Sequence, residues 1–201
     1  FEKLNKGLNC KLILISATAG CGKTTLLSSW VDQLNIPITW YSLDKRDNDP
    51  GKFLNFLVYG IHSINKEIGK DCLTILKSNQ KINPLRVTEL LINDILKLEK
   101  DILCVLDDFH LIESNEVIQM VDFLIKNSPE KFHIAISTRT DPSLPLSRMR
   151  SQNEMVEIRS SDLNFSANEI NIFFNKRLKL ELTIEEINLL EKSFVSFSVD
   201  K

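Results

Sequence analysis

The sequence predicts an α/β fold on a five-stranded, mainly parallel sheet, followed by the start of a helical appendage. Its strand-length apolar runs are nearly continuous, not alternating, which suits strands buried on both faces. Segments with apolar residues at helical spacing separate these runs, so strand and helix alternate along the chain. A glycine-rich turn joins the first run directly to a helix.

Residues 11–16 are the first strand and 24–34 the helix after the turn. Residues 38–43, rich in β-branched and aromatic side chains, are the second strand. Asp49 followed by Pro50 is a helix start, an N-cap and a proline at the first helical position. Phe53, Leu54, Leu57, Val58, Ile61 and Ile64 then fall on one helical face. Asn83 and Pro84 open another helix in the same way, with Val87, Leu91, Ile95 and Leu98 as its stripe. Residues 66–82 carry no clear period. Residues 101–108 are the third strand, 116–126 a helix, 132–137 the fourth strand, 142–150 a turn with a short helix, and 155–158 the fifth strand. Two capping boxes follow, Ser166 with Glu169 and Thr183 with Glu186, and no further strand separates them. The expected division is therefore an α/β domain over 1–164 and a helical appendage over 165–201.

Composition narrows the function. The 201 residues carry 25 Lys+Arg against 27 Asp+Glu, a net charge of −2 that argues against a dedicated nucleic-acid-binding domain. No stretch approaches the roughly 18 uncharged apolar residues of a membrane span, so no membrane partner is expected. Cys10, Cys21, Cys72 and Cys104 are widely spaced and read as free thiols of a reducing cytoplasm. No ligand spacing links them to His62, His110 or His133 as a zinc site. Residues 1–10 lack the apolar run of a signal peptide. The first residue is Phe1, not Met, and the chain is expected to be a fragment of a longer protein.

The stretch ATAGCGKTT at 17–25 carries the most chemistry. It lies between a buried strand and a helix, the context of a phosphate-binding P-loop. Glycines let backbone amides approach phosphate oxygens where a Cβ would clash, and the helix N-terminus adds partial positive charge. Ala19, Gly20, Cys21, Gly22, Lys23, Thr24 and Thr25 are the expected nucleotide-binding residues. Lys23 would reach the β- and γ-phosphates, and Thr24 would place its hydroxyl on Mg²⁺. Ala17 stands where the pattern asks for Gly. Cys21 is read as a permissive loop position rather than a reactive thiol.

The third strand ends in Asp107 and Asp108. Carboxylates at the C-terminal end of a parallel strand sit where ligands bind. Asp107 would hold Mg²⁺, and Asp108 would orient or deprotonate the attacking water. His110 has two readings, a contact near the γ-phosphate and a plain loop residue, and both stay open. Arg139, directly after the fourth strand, would report whether the γ-phosphate is present. Arg148 and Arg150 read as a solvated face. Asp44 either touches the site edge or holds the loop that follows it.

With these residues placed, the sequence resembles the nucleotide-binding domain of the large ATP-binding LuxR-type regulators, the MalT-like proteins among the STAND signal-transduction ATPases. The matching segments are 17–25, WYSLD at 40–44 with NDP at 48–50 and Phe53, LDDFHLI at 106–112, STRTDP at 137–142, LPL at 144–146, and DLNFS at 162–166 with Glu169. They cover roughly residues 4–190, and Ala17 is the family's own variant. The resemblance implies a three-layer P-loop NTPase core of the ASCE/AAA-like kind, with the fourth strand inserted between the first and the third. It implies a weak ATPase with ATP, ADP and Mg²⁺ as ligands, an ADP form at rest, and an ATP form that self-associates. It implies that inducer and DNA are bound by domains outside this chain. A mechanical AAA-type ATPase is the alternative, and a catalytically dead binding module is disfavoured by Lys23, Thr24 and Asp107 standing together.

Overall fold

The structure is a computed structural model, and it describes residues 1–78, 83–164, 167–177, 179–180 and 182–197. Five strands form one sheet: β1 (Leu12–Ser16), β2 (Ile38–Ser42), β3 (Ile102–Asp107), β4 (Phe132–Thr138) and β5 (Met155–Arg159). Their order is β2-β3-β4-β1-β5, and every pairing is parallel. β4 is thus inserted between β1 and β3, as the resemblance implies. The insertion brings the ends of β1 and β3 close without making them neighbours.

Alternation along each strand divides the core into two layers. Leu12 and Leu14 of β1 face one side, with Cys104 and Leu106 of β3 and Ile134 and Ile136 of β4. Helices α3 (Pro50–Ile64), α4 (Lys70–Lys77), α5 (Pro84–Ile95) and α6 (Asn115–Asn127) cover that side. Ile13 and Ile15 face the other, with Leu103, Val105 and Ala135, under α1 (Glu2–Gly7) and α2 (Lys23–Val31). With both faces covered, β1, β3 and β4 are buried throughout, which is why their sequences are apolar runs.

Most expected helix boundaries fall within a residue or two. Asp49 accepts from Lys52 N at 2.7 Å with Pro50 behind it, and Asn83 accepts from Arg86 N at 3.2 Å. Thr183 and Glu186 exchange the two bonds of a capping box at the head of α10 (Ile184–Phe197). The companion box at Ser166 lies outside the described residues. Between them run α7 (Leu146–Ser151), α8 (Ser160–Leu163), α9 (Ala167–Asn171) and a π-helical turn over Ile172–Arg177.

Among the described residues three helices have no counterpart in the sequence reading, α1, α4 and the single turn α8. α1 is held from outside itself: Leu4 is buried, and the Trp30 indole donates to Asn5 Oδ1 at 2.8 Å. α4 arises in the stretch without period because Cys72 and Leu73 pack into the core beside α3 and α5.

Candidate nucleotide site

The loop between β1 and α2 turns on two glycines. Gly20 and Gly22 have φ of 83° and 77°, the left-handed region that costs a side-chain-bearing residue energy. Gly22 is the N-cap of α2 and offers no side-chain cap. The first-turn amides of α2 are thus left for a ligand. Ala19, Gly20, Thr24 and Thr25 line the exposed rim, while Ala17 is buried and its N–H donates to Thr138 O at 3.2 Å. Cys21 Sγ lies 3.1 Å from Thr18 Oγ1.

Lys23 is only 7% exposed, and its ammonium donates to Ala17 O at 2.8 Å and Thr18 O at 2.9 Å. Burial holds its pKa below the usual lysine value, and the Arg139 charge adds to that lowering. The loop thus cradles a cation at its centre, held by two of its own carbonyls.

Asp107 closes β3 and is 3% exposed. Thr24 Oγ1 donates to its Oδ2 at 3.1 Å, the Ser137 hydroxyl donates to Oδ1, and Asp108 N donates to Oδ1 at 3.1 Å. The Thr24 hydroxyl and the Asp107 carboxylate, far apart in sequence, form one oxygen-only donor pair at the mouth of the loop. That donor set fits a hard cation such as Mg²⁺.

Asp108 departs from strand geometry with φ 57° and ψ 37°, a left-handed conformation uncommon for a side-chain-bearing residue. Its side chain is 44% exposed. The turn Phe109–Leu111 follows, with Phe109 sunk into the core. His110 Nδ1 stands 3.8 Å from Asp108 Oδ1, and both ring nitrogens are buried without a hydrogen-bond partner. Burial, then the Arg139 charge, pushes the His110 pKa below the usual histidine value, so the ring is neutral near pH 7. Arg139 is exposed at the end of β4, and its field reaches both Lys23 and His110.

The residues expected at the site therefore gather at the carboxyl ends of β1, β3 and β4, while Asp44 follows the carboxyl end of β2. Asp44 caps the turn Lys45–Asn48 through a capping box with Asp47 and pairs with Arg46, so it holds the following loop. Three groups near these ends escaped the sequence reading. Ser137 looked like the end of a strand, but its hydroxyl touches Asp107 and lies 3.3 Å from Asp108 N. Asp141 accepts from Ser16 Oγ at 2.9 Å and pairs with Arg159 and Arg150, joining the ends of β1 and β5 with α7. Arg150 is thus an ion-pair member, not a merely solvated residue. Asn48 sat unremarked inside a helix-start motif.

A buried parallel strand, a glycine loop capping a helix, and a second strand whose carboxylate meets the loop hydroxyl define a P-loop NTPase fold. Within that class the chain belongs to the family described as nephrocystin 3, N-terminal, whose model matches residues 1–139. Among solved structures, Cdc6p from Pyrobaculum aerophilum is similar with a TM-score of 0.52 at 12% identity, over 94% of this chain and 52% of that one. The Aeropyrum pernix Orc1 protein, in complex with DNA, gives 0.52 at 13% identity, over 89% of this chain and 48% of that one. A chain of Drosophila ORC bound to AT-rich DNA and Cdc6 gives 0.51 at 13% identity, over 100% of this chain and 74% of that one. At these identities the likeness is one of fold. This chain spans about half the length of the Cdc6p and Orc1 chains. The comparisons reach the P-loop NTPase fold and do not show a LuxR-type regulator.

Proposed function

We propose that this chain is the nucleotide module of a Mg²⁺-dependent P-loop ATPase of AAA type, which binds ATP and hydrolyses it to ADP and phosphate. The observation that carries the reading is the Thr24–Asp107 contact at 3.1 Å beside the buried Lys23. It joins the phosphate loop to a strand-end carboxylate, the pair such a reaction needs. Thr24 and Asp107 are the residues that would hold Mg²⁺, which would neutralise charge on the β- and γ-phosphates. The loop amides and Lys23 bind the phosphates. Arg139 stands free to meet charge developing on the γ-phosphate. Asp108, exposed at the strand end, orients the attacking water, and His110 keeps a neutral ring beside it. We assign α9 and α10 to the helical appendage expected after residue 164.

A second reading, the slowly hydrolysing ATP switch of a MalT-like regulator, is favoured by the segments around Asn48–Pro50 and Arg139–Asp141. Both are tied into the site edge by Asn48 and Asp141. It carries with it self-association in the ATP form and cytoplasmic residence. One experiment tests both. The protein is denatured, any released nucleotide is identified by chromatography, and steady-state ATP turnover is measured. No retained nucleotide with turnover of about one per second or faster, inside the usual enzyme range, supports the AAA-type reading. Retained ADP with far slower turnover supports the switch. A protein that neither retains nor binds nucleotide overturns both.

A further inference from the structure

The 3.8 Å pair of Asp108 and His110 sits on a short turn closed by two bonds of its own, Leu111 N to Asp108 O and Ile112 N to Phe109 O at 3.0 Å each, and further support comes from across the fold. Asn48 ends the turn after β2, yet its amide makes four hydrogen bonds. Nδ2 donates to Lys45 O at 3.1 Å and to Leu111 O at 2.8 Å. Oδ1 accepts from Glu113 N at 2.6 Å and from Ser114 N at 2.7 Å. Three of these four bonds reach the segment that follows Asp107, so one side chain satisfies three backbone groups of a loop that has no ladder of its own. From this geometry we infer that Asn48 is a positioning residue for ATP hydrolysis, acting through Asp108 and His110. The inference rests on the nucleotide reading above.

Two anchors fix the turn. On the N-terminal side β3 and the buried Phe109 hold it. On the C-terminal side the Asn48 amide holds it. Asp108 lies before Phe109 and is tied to the second anchor through Leu111, whose N–H donates to Asp108 O at 3.0 Å while its carbonyl accepts from Asn48. Asp108 is in left-handed backbone geometry, which persists only where the surroundings over-determine it. Without the second anchor the turn relaxes toward ordinary φ, and the Asp108 carboxylate leaves its place at the strand end. The phosphate loop is on the other side of this strain. Lys23 and Thr24 are set by β1, α2 and Asp107, and none of the four hydrogen bonds of Asn48 goes to these. Loss of the anchor therefore slows the chemical step and leaves nucleotide and Mg²⁺ binding intact.

The test uses the full chain as wild type, Asn48→Ala and Asn48→Asp, with ATP and ADP affinity, single-turnover hydrolysis and thermal midpoint measured for each. Asn48→Ala is expected to lower the single-turnover rate by about tenfold or more, as misplacement of a catalytic group does. ATP and ADP affinity, and the Mg²⁺ requirement of ATP binding, stay within about twofold. Asn48→Asp keeps both acceptor bonds and loses both donor bonds, so its rate falls between the two. A rate for Asn48→Ala within about twofold of wild type overturns the inference, as does an affinity loss equal to the rate loss. If Asn48→Ala fails to fold, Asn48→Asp decides by the same split, and a wild-type rate in that variant overturns the inference. A wild-type chain that neither binds nor hydrolyses ATP overturns the nucleotide reading itself, a different result from a wild-type ATPase indifferent to residue 48.

Discussion

Lys23 is the residue on which nucleotide affinity turns. Its ammonium is buried against two loop carbonyls, so a bound phosphate exchanges neutral acceptors for charged ones at a site already desolvated. Charge-assisted hydrogen bonds contribute about 1.5–3 kcal/mol each. Lys23→Ala is therefore expected to weaken ADP and ATP binding by about a hundredfold or more, read by calorimetry, and unchanged ADP affinity would sink the phosphate-site assignment. Asp107→Ala acts differently. It removes the carboxylate that accepts from Thr24, Ser137 and Asp108. ATP binding should lose its Mg²⁺-dependence while circular dichroism reports an intact fold. A Mg²⁺ titration that still strengthens ATP binding as in wild type assigns the metal elsewhere.

At the scale of elements, the packing of α3 on the edge strand β2 depends on the absence of one side chain. A Cβ at Gly60 would stand 2.2 Å from Thr39 Oγ1. Thr39 is buried and β-branched, so it has little room to turn away. Gly60→Ala would gain about 1 kcal/mol of helix propensity, but overpacking costs about 1–3 kcal/mol. The net effect is destabilising, visible as a lower urea midpoint. Thr39→Ala in the same chain removes the offending oxygen and should recover part of the loss. A Gly60→Ala protein more stable than wild type would mean that the helix shifts freely.

At the scale of the whole molecule, the C-terminal edge of the sheet is fastened by ion pairs around Asp141. The Arg159 guanidinium holds the Asp141 carboxyl below its usual 3.8, with Ser16 and Arg150 adding to that. A carboxylate depressed in the folded state contributes stability that is present above about pH 4 and is lost as pH falls through the folded value. Asp141→Asn should therefore lower stability at neutral pH and flatten the acid limb below about pH 4. Because Asp141 is 44% exposed, solvent and salt screen the pair, and the difference should shrink at high ionic strength. Thermal unfolding between pH 3 and 7 at two salt concentrations reads this, and identical acid limbs would show that the network contributes nothing.

The sequence by itself determined the strands, the glycine loop and the carboxylate that ends β3. Each of these is a local pattern: an apolar run buried on both faces, glycines at positive φ, a polar residue closing an apolar strand. It also placed the caps at Asp49, Asn83 and Thr183, where cap and first turn lie within three residues. Only the tertiary structure decided which distant groups meet. α1 exists because β1 and Trp30 receive it, and α4 because α3 and α5 do. Ser137 reaches Asp107, Asp141 binds Ser16, and Asn48 holds residues 111–114 because parallel crossovers bring strand ends together from far along the chain. Short-range periodicity cannot report such contacts, since they are set by sheet order and not by neighbouring residues.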